Sequence, residues 1–265
     1  MELVVDRFCE AVAGGHGSGM KGAGLAWLAG ASFAHRGLHG PGAPENSPAA
    51  IARAVDAGFP VEIDVRLSGD GRVMVIHDSD LRRLTGTAGC VEQTRSEDLR
   101  KLPLMGTREG IPAMEEVFRI AANRVPVLVE LKSAGNARAL ARAVADGILS
   151  GGWWCAIQSF DVRIVYWFRR HAPRIPRGQI ACRFDTDPMP AWWKFLLSRY
   201  VFNGLTRPDF LAHRWQDMPL TRFVRRGDRP LLAWTVRSPQ EEFAALRHAD
   251  SVIFENYIPA LHRAG

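Results

Sequence analysis

Short apolar runs alternate along the chain with segments in which apolar residues recur at helical spacing. Runs at 32–35, 61–67, 125–131, 156–159, 178–182, 209–212, 230–236 and 251–255 predict eight strands. Between them, 47–57, 113–122, 136–149, 161–171, 190–200, 216–226 and 239–247 predict helices. Several of these open on capping residues, namely Ser47 before Pro48, Asp161 after Phe160, and Ser238 before Pro239. Strand-then-helix order is the signature of an α/β parallel sheet, and eight such units close as a (β/α)8 barrel. One further strand, 73–77, follows the Gly69-Asp70-Gly71 turn and predicts a hairpin with the second barrel strand. The polar, irregular stretch at about 81–110 reads as a small insertion after that strand. Residues 1–31, Gly-rich at their centre, read as a disordered leader, leaving 32–265 as a single barrel domain.

Composition narrows the picture. A chain of 265 residues, 47% hydrophobic, can bury one substantial core. Its net charge of +6 favours an anionic partner. The cations are scattered, with only short clusters at Arg169-Arg170 and Arg225-Arg226, so no nucleic-acid ligand is expected. Cys9, Cys90, Cys155 and Cys182 lie far apart, which excludes zinc spacing and a disulfide framework and fits a reducing cytoplasm. The apolar stretch 23–31 is broken by Gly24 and Gly30, and no other run reaches the roughly 20 residues of a membrane helix. Membrane contact would therefore be peripheral. The segment 191–200, with Trp192, Trp193, Phe195, Lys194 and Arg199, has the composition of an interfacial helix, although a barrel helix also needs an apolar side.

The residues able to do chemistry fall at the ends of expected strands: His35, Arg36, Glu62, Asp64, His77, Glu130 and Lys132. The carboxyl ends of barrel strands surround the active site. Alternation puts Val61, Ile63, Val65 and Leu67 on the helix-facing side, which leaves Glu62 and Asp64 inside the barrel. Two carboxylates buried together without compensation are costly. A hard divalent cation, with Glu130 as third oxygen ligand, resolves the cost; so does a purely structural network with Arg36 and Lys132, and spacing alone leaves both open. His35 and His77 suit proton transfer near neutral pH; taken singly, a histidine is more often a satisfied core or loop residue, and their joint placement beside the carboxylates weighs against that.

The same residues carry a resemblance. Ala34-His35-Arg36-Gly37, Pro44-Glu45-Asn46-Ser47, Glu62-Ile63-Asp64-Val65, Ile76-His77-Asp78, Leu84-Thr85-Gly86, Ile111-Pro112, Glu130-Leu131-Lys132, Ser159-Phe160 and Trp234-Thr235-Val236 occur in the order seen in glycerophosphodiester phosphodiesterases. The chain resembles that family over about residues 33–259. The resemblance implies a TIM-type barrel and metal-dependent hydrolysis of glycerophosphodiesters, with Mg²⁺ or Ca²⁺, to an alcohol and glycerol 3-phosphate. It implies His35 and His77 as the acid-base pair, Glu62, Asp64 and Glu130 as metal ligands, and Arg36 and Lys132 at the phosphate. Glu45, Asn46 and Trp234 take supporting or substrate positions. A lysophospholipid, cleaved in lysophospholipase-D fashion, is the alternative substrate, and a silent phosphoester-binding barrel the alternative to an enzyme. Three positions depart from the pattern: Ser47 replaces Thr, Arg237 stands where Asn follows Trp-Thr-Val, and Glu255-Asn256 replaces Thr-Asp. The last two lie at strand ends, where they bear on substrate identity, and Arg237 suggests an extra anionic group on the substrate.

Overall fold

The computed structural model describes residues 25–222 and 224–259. Eight parallel strands close into a barrel: β1 (Ser32–His35), β2 (Val61–Leu67), β4 (Val127–Leu131), β5 (Cys155–Ser159), β6 (Arg177–Ala181), β7 (Phe210–Arg214), β8 (Leu231–Val236) and β9 (Ser251–Phe254). Closure comes from β1, which pairs in parallel with both β9 and β2. The expected hairpin strand is β3 (Val73–Val75), antiparallel to β2, with Val65 opposite Val75.

Helices cover the outside: α1 (Pro48–Asp56), α4 (Met114–Ala121), α5 (Ala137–Gly151), α6 (Val162–His171), α7 (Ala191–Ser198) and α9 (Pro239–Leu246), with one short turn, α8 (Asn203–Thr206), after α7. The capping signals act as read. Ser47 Oγ accepts the Ala50 N–H at 3.2 Å, Asp161 the Arg163 N–H at 2.9 Å and Ser238 the Glu241 N–H at 3.2 Å. Strand alternation then sorts the side chains. Val61, Ile63 and Val65 pack outward against Ile51, Val117, Phe118 and Leu140, while Phe33, Leu128, Ala156, Ile180, Phe210, Leu232 and Ile253 fill the interior.

Three expectations are corrected. The leader does not extend to residue 31: Ala26–Leu28 form a 3-10 turn, Leu28 is fully buried, and Trp27 packs on Phe33 and Trp154 as part of the barrel interior. Ser251 Oγ ties this turn down by donating to the Leu28 carbonyl at 2.7 Å. The physical cause is the apolar content of 25–31, which closes the end of the barrel away from the carboxylates. The earlier leader residues, 1–24, lie outside the described ones. Second, the helix expected at 216–226 is absent among the described residues. A 3-10 turn at Trp215–Asp217 ends where Pro219, lacking an N–H and crowding the preceding turn, blocks propagation. Third, the insertion at about 81–110 is not merely irregular. It carries α2 (Arg82–Thr85) and α3 (Ser96–Leu99) and its own apolar cluster of Leu81, Leu84, Val91, Leu99 and Leu104 against Met74 and Ile76. This satellite core holds the loop after His77 in place.

Helix α7 matches its expected position but leaves none of its side chains buried, with Trp192 63% and Phe195 53% exposed. Leu197 packs, partly buried, against the barrel's outer core, and Trp193 meets Trp192 and Phe202 edge-on. Among the described residues no helix is long and apolar enough to cross a membrane.

Candidate active site

The alternation that sends Val61, Ile63 and Val65 outward turns Glu62 and Asp64 into the barrel, above its apolar filling. Asp64 sits opposite Glu130 in the β2–β4 register. Glu62, Asp64 and Glu130 are all buried, and one carboxylate oxygen of each lies within 4.8 Å of the others. Arg36 and Lys132 enter the same space. Arg36 Nε is 3.0 Å and Lys132 Nζ 3.2 Å from Asp64, and Lys132 Nζ is 2.5 Å from Glu130 Oε1. Asn46 donates to Asp64 Oδ2 at 3.1 Å and accepts the Asp64 backbone N–H at 3.3 Å.

Three carboxylates thus face two cations, and Glu62 is the one whose negative charge is least compensated. Its Oε2 accepts only the Arg36 backbone N–H, at 3.3 Å, and its buried Oε1 has no hydrogen-bond partner among the described residues. Burial, with Asp64 and Glu130 adding to it, pushes the Glu62 carboxyl well above the ordinary range. Burial also raises Glu130, where the Lys132 ammonium only partly offsets it. Asp64 goes the other way: burial would raise it, but Lys132 and Arg36 hold it far below. An all-oxygen donor set with one uncompensated negative charge and one unpartnered oxygen fits a hard divalent cation.

The backbone that delivers Arg36 needs a glycine. Gly37 has φ +80°, and a Cβ there would lie 2.6 Å from the Ala50 carbonyl carbon, so the loop after β1 can rest on the start of α1 only without a side chain. Arg36 and Asn46 themselves take positive φ, 57° and 60°.

Both histidines are held through Nδ1 by a carboxylate. His77 Nδ1 lies 2.6 Å from Asp78 Oδ1, and His35 Nδ1 lies 2.6 Å from Glu255 Oε2. Burial lowers the pKa of each ring despite these partners, which favours neutral imidazoles. Arg83 links the two sides of the site: it donates to Asp78 and, with two N–H groups at 2.7 and 2.8 Å, to Glu45. Glu45 in turn accepts from Arg36 at 2.7 Å. Burial pushes the Asp78 carboxyl up, but Arg83 and His77 outweigh it and hold it at about 2. Trp234 packs edge-on against Phe160, 5.5 Å between centroids, and its Nε1 has no partner among the described residues.

The structure brings Arg36, Glu62, Asp64, Glu130 and Lys132 together, with Glu45 and Asn46 supporting Arg36 and Asp64 and the two histidines beside them, whereas Trp234 is placed through Phe160, whose ring lies under Lys132. Arg36 and Lys132 are engaged with carboxylates. Arg237, expected to face an anionic substrate group, instead donates to Glu255 at 2.7 Å. Sequence reasoning missed the roles of Asp78, Arg83 and Glu255. Asp78 had a signal, its place beside His77; Arg83 and Glu255 act across 38 and 220 residues of sequence, and no local pattern marks them.

The family model described as the glycerophosphoryl diester phosphodiesterase family matches residues 35–257. YhdW of Bacillus subtilis is 34% identical over 219 residues, covering 78% of this chain and 86% of the relative. A glycerophosphodiester phosphodiesterase of Caldanaerobacter subterraneus is 37% identical over 109 residues, 38% of this chain and 44% of the relative. Among solved structures, an Oleispira antarctica phosphodiesterase in complex with the product sn-glycerol-3-phosphate superposes with TM-score 0.71 at 23% identity, covering 84% of this chain and 92% of that one. A Thermotoga maritima glycerophosphodiester phosphodiesterase gives TM-score 0.66 at 26% identity, covering 84% and 93%. On the family match and the long alignment to YhdW, the chain belongs to the glycerophosphoryl diester phosphodiesterase family and is an enzyme of that class.

Proposed function

We propose that the enzyme hydrolyses glycerophosphodiesters to an alcohol and glycerol 3-phosphate, assisted by Mg²⁺ or Ca²⁺ held by Glu62, Asp64 and Glu130. The observation that carries this reading is the buried three-carboxylate cluster with its unpartnered Glu62 oxygen, flanked by two carboxylate-held histidines. When bound, the cation supplies Lewis-acid stabilisation of phosphate charge. Arg36 and Lys132 supply the remaining positive charge, exchanging part of their carboxylate contacts for phosphate oxygens. With Nδ1 of each ring donating to its carboxylate, Nε2 of His35 and of His77 is the nitrogen that exchanges protons. One ring, entering neutral, takes the proton of the attacking oxygen on Nε2; the other, entering protonated on both nitrogens beside its carboxylate, gives its Nε2 proton to the departing alkoxide as the P–O bond breaks. The attacking oxygen is water or the substrate's own glycerol 2-hydroxyl, and a cyclic phosphate in phosphorus NMR identifies the second route. The Oleispira protein of the same fold, solved with sn-glycerol-3-phosphate, is consistent with this product.

The test is turnover of glycerophosphocholine by the wild type, His35→Ala and His77→Ala. Each variant loses on the order of 10²–10⁴-fold in kcat if its ring transfers a proton. Near wild-type turnover removes that ring from the mechanism.

A second substrate reading, a lysophospholipid met at a membrane surface, is favoured by α7, whose Trp192 and Phe195 are exposed beside Lys194 and Arg199. Choline release from lysophosphatidylcholine in preference to glycerophosphocholine, with vesicle flotation lost in a Trp192→Ala/Trp193→Ala variant, would establish it. Flotation indifferent to those changes would dismiss α7 as the contact.

A further inference from the structure

The two positions at which the strand-end motifs of β8 and β9 depart from the family pattern, Arg237 and Glu255, meet in space. Arg237 Nε donates to Glu255 Oε1 at 2.7 Å, while Glu255 Oε2 lies 2.6 Å from His35 Nδ1. The fold explains the second contact. β1 and β9 are neighbours, in register from Ser32 opposite Val252 to Ala34 opposite Phe254, so the next pair up is His35 and Glu255. Ile253 lies in the barrel interior, and alternation turns Glu255 to that same side. The His35 and Glu255 side chains are only 14% and 13% exposed, too enclosed for an incidental surface pair. His39 Nε2 stands 3.6 Å from the same Glu255 oxygen. The Arg237 guanidinium on the other oxygen balances the carboxylate charge from within the protein.

We propose that Glu255 is the positioning residue of His35, fixing the ring with Nδ1 protonated so that Nε2 is presented for proton transfer, and that Arg237 locks Glu255 in that pose. The inference rests on the reading of His35 as a proton-transfer group. It makes the site doubly built: His77 takes the same support from its sequence neighbour Asp78, whereas His35 takes it from the other end of the chain. Burial would raise the Glu255 carboxyl, but the hydrogen bond from His35 and the charge of Arg237 hold it well below the usual carboxylate range, so it stays an acceptor. A carboxylate that accepts from Nδ1–H selects the tautomer whose lone pair is on Nε2.

The test is steady-state turnover of glycerophosphocholine by the metal-loaded full chain, with melting curves for every variant. Glu255→Gln, whose amide can offer Nδ1 a donor and favour the opposite tautomer, and Glu255→Ala lower kcat roughly 10- to 100-fold with KM little changed. Glu255→Asp recovers part of the loss. Arg237→Ala shows a smaller loss of the same kind. The double variant His35→Ala/Glu255→Ala is no slower than His35→Ala, because Glu255 acts only through that ring. Histidine ¹⁵N spectra show His35 protonated at Nδ1 in the wild type and a tautomer mixture in Glu255→Ala, a signature that a merely structural role would not give. Intact kcat in folded Glu255→Ala beside a dead His35→Ala, or additive losses in the double variant, overturns this proposal alone. Wild-type turnover in His35→Ala overturns the acid-base reading of His35 and this proposal with it.

Discussion

Replacing Glu62 by Gln separates the two things this carboxylate does. Glu62 is 1% exposed, one of its oxygens has no hydrogen-bond partner among the described residues, and its neighbours Asp64 and Glu130 repel its charge. Between its ordinary value of 4.5 and its raised folded value, the folded chain binds a proton that the unfolded chain has lost. Over that window the metal-free protein therefore loses stability as pH rises. Gln keeps the volume and the acceptor for the Arg36 N–H, removes the charge, and places an amide donor where the site has an excess of acceptors. Gln has no proton to take up on folding, and this stabilises the metal-free fold at neutral pH by about 1–2 kcal/mol, roughly 2–8 °C in Tm for a chain of this size.

The wild type has the opposite response to metal. At about 100-fold excess of Mg²⁺ over its Kd, binding adds about 2.7 kcal/mol, or roughly 5–10 °C, and the gain grows with pH because the ligands must be deprotonated. Differential scanning fluorimetry of wild type and Glu62→Gln at several pH values, in EDTA and with Mg²⁺ or Ca²⁺ restored, measures both effects. The account predicts a more stable metal-free variant with a flatter pH dependence and no metal shift. A variant that melts lower without metal and still gains the full wild-type shift would refute the reasoning.

Arg83→Ala removes the guanidinium shared by Asp78 and Glu45, freeing both His77 and Arg36 from their common anchor. It lowers kcat roughly 10- to 100-fold while leaving metal-induced stabilisation intact, which turnover and melting together check. Gly37→Ala forces a Cβ into the Ala50 backbone at a positive φ and costs about 3 kcal/mol or more, seen as a lower urea midpoint at unchanged m-value. Asp78→Asn leaves the His77 ring without an ionised partner; it lowers kcat with little change in KM, and an unchanged kcat would detach Asp78 from His77 function.

How far the sequence carries depends on the range of the interaction. The alternation of Val61, Ile63, Val65 and Leu67 with Glu62 and Asp64 was sufficient to place two carboxylates inside the barrel, because strand period and burial are local properties. Helix starts were equally legible, since Ser47, Asp161 and Ser238 bond within their own first turns. The helix expected at 216–226 does not form because Pro219 overrides the helical apolar spacing. The leader boundary failed because Trp27 and Leu28 are buried by strands far along the chain, which no local composition reports. The Glu255–His35 contact was illegible for the same reason: it exists only once β9 closes the barrel onto β1. Arg237 suggests a substrate contact in the sequence because its carboxylate partner, Glu255, is brought to it only by that closure.

The central claim is that a divalent cation at Glu62, Asp64 and Glu130 enables glycerophosphodiester hydrolysis. The most direct measurement is glycerol 3-phosphate release from glycerophosphocholine and glycerophosphoethanolamine by EDTA-treated enzyme, before and after restoring Mg²⁺ or Ca²⁺, in wild type and Glu62→Ala. The account predicts release that EDTA abolishes, that metal restores in the wild type, and that metal fails to restore in Glu62→Ala. Undiminished release in EDTA, or full metal-restored release by Glu62→Ala, would contradict it.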